Sequence, residues 1–128
     1  MLVVGLVLAG VAAAVHVWIF VMESLTWTSA RTRATFGTTR EQAEQTRELA
    51  FNQGFYNLFL AVLVLLGIVL HAAGWTTAGA TLVLAGTGCM VAAGAVLLVS
   101  SPSKARAALV QLVPPLLGAV GVVVGLVS

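Results

Sequence analysis

Residues 16–27 read HVWIFVMESLTW, and the fold is decided here. The stretch closes an apolar run that starts at Leu2 and holds no charge before Glu23. A membrane-spanning helix needs about 20 apolar residues, so the run predicts a spanning helix over about 2–27. Each helical residue turns by about 100°. His16, Phe20, Glu23 and Trp27 therefore fall on one stripe. An imidazole and a carboxylate in a lipid-embedded helix are costly unless they face protein or water. The remaining helices must receive them.

The composition agrees with a bilayer. Of 128 residues, 60% are hydrophobic and 8% are charged, against about a quarter charged in soluble domains. The length allows one domain over residues 1–128, with an all-α fold expected: a polytopic bundle of four transmembrane helices. Cys89 is the only cysteine, so no internal disulfide exists, and no His/Cys grouping has metal-site spacing. No metal or cofactor is expected. The net charge of +2 reflects six basic residues at helix ends, a topology signal and not a nucleic-acid one. The first apolar run has no basic lead and is too long for a signal-peptide core, so it is expected to remain as a span.

The other helices follow in order. Residues 28–38 are expected to be a loop. Thr38-Thr39-Arg40-Glu41 has the pattern of a capping box, which starts a helix near Thr39 that runs on to about 73. Its first membrane turns carry Asn52, Gln53, Gly54, Tyr56 and Asn57. A third helix over about 77–99 is punctuated by Gly79, Gly86, Gly88 and Gly94, small residues that let membrane helices approach closely. After a loop at 100–106, a fourth helix over about 107–127 contains Gln111 and the pair Pro114-Pro115. Gly10 and Ala14 form one small-xxx-small pair, and Gly121 and Gly125 another. The second pair offers a docking face for another helix of the chain or for a second copy in a homo-oligomer.

Arg31, Arg33, Arg40, Arg47, Lys104 and Arg106 all lie in the segments after the first and third spans. The positive-inside rule then predicts cytoplasmic loops, extracytoplasmic termini and an inner-membrane location, with membrane lipids as neighbours. On that topology Glu23, Trp27, Asn52, Gln53, Tyr56, Asn57 and Gln111 belong to one end of the bundle, and His16 lies deeper. The expected site is a funnel at that end. Glu23 and His16 are its catalytic candidates, as a proton donor or acceptor and its partner. Trp27, Asn52, Gln53, Tyr56, Asn57 and Gln111 are its ligand-binding candidates. The chemistry suits a lipophilic small molecule and an isomerase- or hydrolase-like reaction. A structural or partner-binding subunit is the alternative, because such polar groups also tie helices together. A proton-coupled transporter is the third reading.

The HVWIFVMESLTW stretch, the run Asn52-Gln53-Gly54-Phe55-Tyr56-Asn57 and the Gln111 to Pro114 spacing resemble the small bacterial membrane proteins grouped as domain of unknown function 1304. The resemblance covers nearly the whole chain. It implies four spanning helices and carries no activity with it.

Overall fold

The computed structural model describes all residues, Met1–Ser128, and contains helices and no strands. Helix α1 (Leu2–Phe20) passes into a π-helical turn over Val21–Leu25. Two short helices follow, α2 (Ala30–Phe36) and α3 (Arg40–Gln45). The long helices α4 (Arg47–Ala72), α5 (Thr76–Ser100) and α6 (Ala105–Val127) complete the chain, with a 3-10 turn at Pro102–Lys104. Four of its helical stretches are long and apolar enough to cross a membrane. The spans are Leu2–Leu25, Arg47–Ala72, Thr76–Ser100 and Pro102–Val127. At about 1.5 Å per residue each exceeds the roughly 30 Å hydrocarbon layer.

The spans form an antiparallel ring. α1 packs on α4 and α6, and α5 closes the ring between α4 and α6. The core is thin. Its buried members are mostly alanine and valine, among them Ala9, Ala12, Ala13, Ala61, Val64, Val83 and Val122, and Met90 is its largest side chain. Leucines and valines instead cover the outside, which suits lipid contact. In lipid the helices gain little from hydrophobic burial, so association rests on close backbone packing.

The α1–α6 seam shows this directly. A Cβ on Gly118 would lie 2.8 Å from the Ala9 nitrogen, and one on Gly121 would lie 2.7 Å from the Gly5 Cα. A Cβ on Gly125 would run into the Leu2 backbone. The Gly121 and Gly125 face thus packs against α1 of the same chain. Gly10 is not part of a tight seam, since a Cβ there would meet only Ile68, at 3.8 Å. Pro114 and Pro115 sit inside α6, which stays helical through them.

The polar segment departs from the expected loop-then-helix layout. Ser29 caps α2 by accepting from the Thr32 backbone N–H at 3.2 Å. Gly37 ends α2 with φ at +67°, a left-handed turn that costs glycine nothing. The capping box lies one residue later than the sequence pattern suggests. Thr39 accepts from the Gln42 N–H at 3.1 Å, and the Gln42 side chain accepts from the Thr39 N–H at 2.9 Å. The helix it opens then breaks at Thr46 before α4 begins.

Candidate functional site

The site grows from the end of α1. At Val21 the helix widens by one residue, and the Thr26 N–H reaches the Val21 carbonyl at 3.0 Å instead of closing a normal turn. Hydroxyls fix this wide turn from outside. Ser29 donates to Thr32 at 3.1 Å, Thr32 bonds Thr26 at 2.8 Å, and Thr26 reaches the same Val21 carbonyl at 3.4 Å. From the other side Ser24 donates to the Phe51 carbonyl of α4 at 2.8 Å. Gly54 makes that approach possible: a Cβ there would collide with the Ser24 hydroxyl and stand 3.0 Å from the Ser24 nitrogen. Single π turns within α-helices recur at functional positions, and this one carries Glu23.

The turn aims Glu23 at α4. Asn57, a buried residue, donates from Nδ2 to Glu23 Oε2 at 2.8 Å, and the same nitrogen reaches the Gln53 carbonyl at 3.2 Å. A charge-assisted bond between two helices inside the bundle is among the stronger contacts available there. Glu23 is not sealed in. It lines a cleft of about 130 Å³ together with Ser24, Leu25, Trp27, Thr28, Arg47 and Phe51.

The π turn also corrects the expected stripe. Trp27 lies beyond the helix, because the extra residue ends it at Leu25. The indole is held instead by its Nε1–H donating to the Thr46 hydroxyl at 3.2 Å and by edge contact with Phe36, centroids 4.9 Å apart. It still walls the cleft.

Glu23, Asn57 and Trp27 therefore come together, while the other candidates do not join them. Asn52, Gln53 and Tyr56 are exposed on α4, away from the funnel expected for them. Asn52 bonds its own helix, at the Glu48 carbonyl, 3.2 Å away. His16 is buried, and its Nδ1 donates to the Ala12 carbonyl at 2.9 Å. It stands seven residues above Glu23 on the helix, about 10 Å by helical rise, and no bond joins the two. Gln111 is half-buried. The α1–α6 register that pairs Gly5 with Val122 and Ala9 with Gly118 brings Gln111 level with His16, and so deeper than Glu23.

Two participants, Ser24 and Arg47, carry no signal in the sequence, and both line the cleft. Gly54, a glycine amid bulky rings where a close helix contact is cheap, sets its helix spacing. The part played by Ser24 depends on the π turn, which leaves no mark in hydrophobic periodicity.

A multi-pass, four-helix membrane protein with a polar pocket at its basic end is the class these features define. The chain belongs to the family described as "Protein of unknown function (DUF1304)", whose model matches residues 10–123. No curated protein and no solved structure matches the chain.

Proposed function

We propose that this membrane protein binds a lipophilic small molecule in the Glu23 cleft and that Glu23 serves there as proton donor or acceptor, in isomerase- or hydrolase-like chemistry. One observation carries the reading. Glu23 is oriented by Asn57 through one oxygen, and the residue lines an open cleft. An ionisable side chain within a span usually marks a functional site, and a proton-transfer group must be both positioned and reachable. All six basic residues flank that end of the bundle, and the positive-inside rule supports a position for the cleft at the cytoplasmic leaflet of an inner membrane. The reading rests on Glu23 alone, since the buried His16 bonds the Ala12 carbonyl of its own helix.

A second reading has its own observation. The direct Asn57–Glu23 bond and the Ser24–Phe51 bond together tie α1 to α4, which is what a purely structural polar contact does. Thr28→Trp separates the two. The larger side chain fills the cleft and leaves the Asn57–Glu23 pair untouched. Native mass spectrometry of protein extracted gently from its own membrane is expected to show a retained lipophilic molecule in the parent protein and none in Thr28→Trp. Equal spectra, with nothing retained by either, would favour the structural tie.

A further inference from the structure

Most polar groups around the cleft are already spent on other parts of the chain. Ser24 donates to the Phe51 carbonyl, Trp27 donates to Thr46, and the Thr28 carbonyl accepts from Arg33 at 3.2 Å. Two charged groups remain. One is the Glu23 carboxyl, with one oxygen on Asn57, and the other is the exposed Arg47 guanidinium at the start of α4. They line the same cleft, yet no ion pair within 4.0 Å joins them. A carboxylate and a guanidinium that share a cleft unpaired are complementary to a ligand that brings both opposite charges.

The cleft also has an apolar doorstep. Phe51 lines it and stacks in a ladder with Phe55, centroids 5.1 Å apart. Phe55 continues to Phe20 at 5.1 Å and to Phe59 at 6.2 Å. Phe51 and Phe59 are exposed on α4. At about 130 Å³ the cleft holds a small polar headgroup and no hydrocarbon tail, since one liquid water takes about 30 Å³. A tail would lie along the rings.

We propose that the cleft seats the headgroup of a zwitterionic membrane lipid, with a primary ammonium on Glu23 and the lipid phosphate on Arg47. Arg47 offers the planar fork that suits phosphate. Trp27, in the wall of the same cleft, adds an aromatic face for the ammonium. The lipid chains run over Phe51, Phe55 and Phe59. This assignment names the ligand class and rests on the ligand-site reading above.

The test uses the full chain in nanodiscs of defined phosphatidylethanolamine, phosphatidylcholine or phosphatidylglycerol content, with retained lipid counted by native mass spectrometry. Phosphatidylethanolamine is expected to be retained in preference to the other two. Glu23→Gln and Arg47→Gln are each expected to weaken that retention roughly ten- to hundredfold, the effect of one charge-assisted hydrogen bond. Lys104→Gln, at the same end but outside the cleft, is expected to change nothing. Preferential retention of phosphatidylglycerol, weakened alike by Arg47→Gln and Lys104→Gln, would overturn the proposal in favour of a general attraction to the basic end. Equal competition by soluble phosphoethanolamine would overturn the lipid as its source. A neutral or anionic molecule whose retention depends on Glu23 would overturn the headgroup and leave the ligand site standing. A cleft that retains nothing would overturn both.

Discussion

Gly54→Leu is expected to push the Glu23 turn away from α4 and to lower the thermal unfolding temperature in detergent. Even a Cβ at this position would collide with the Ser24 hydroxyl and lie 3.1 Å from the Glu23 Cβ. The Ser24 side chain cannot simply swing aside, because it donates to the Phe51 carbonyl one turn earlier on α4. Overpacking a tight contact costs about 1–3 kcal/mol. Here the effect is coupled, since moving the turn also stretches the Asn57–Glu23 bond. Circular-dichroism melting of Gly54→Leu beside Gly88→Leu checks this. Gly88 has open space around it, so its variant is expected to melt close to the parent.

Asn57→Leu gives the second large effect. The substitution keeps the same branching and number of heavy atoms and removes the donor 2.8 Å from Glu23 Oε2. A fully buried acceptor stripped of its partner costs about 1–3 kcal/mol, and the half-buried Glu23, which the cleft leaves reachable, is expected to lose about 1 kcal/mol. The loss falls on the junction of α1 and α4, so the π turn is expected to loosen before the rest of the bundle. Hydrogen exchange read by mass spectrometry is expected to rise in peptides covering residues 21–26 and to stay unchanged in α5. Uniform exchange across the chain would show that Asn57 does not hold this turn.

Much of the architecture is written in the sequence. Four apolar runs of membrane length, with every basic residue in two alternate connections, leave little choice but an antiparallel bundle. Glu23 stands out for the same reason: Glu48, the other carboxylate within a span, sits in its first turn at the polar end. The pairing was less legible. Asn52, Gln53, Tyr56 and Asn57 are all polar or amphipathic within one and a half turns, and only the helix rotation separates the buried Asn57 from its exposed neighbours. That rotation is set by Gly54 settling against Ser24, a tertiary contact. Trp27 leaves the stripe that a regular helix predicts, because the hydroxyl chain from Ser29 to Val21 holds a wider turn over residues 21–25. Short α2 has only Ser29 and Gly37 to mark its two ends, and a seven-residue helix has no periodicity that sets it apart from a loop.

The central claim is that Glu23 is held in place for a ligand and is not there merely to fasten two helices. Glu23→Gln tests it most directly, because the amide oxygen still accepts from Asn57 while the charge and the exchangeable acid are gone. Melting temperature and retained ligand are measured on the same membrane extract. The account predicts an unfolding temperature close to that of the parent and loss of the retained lipophilic molecule. A clearly lower unfolding temperature with ligand retention unchanged would contradict it and leave Glu23 as a fastening between α1 and α4.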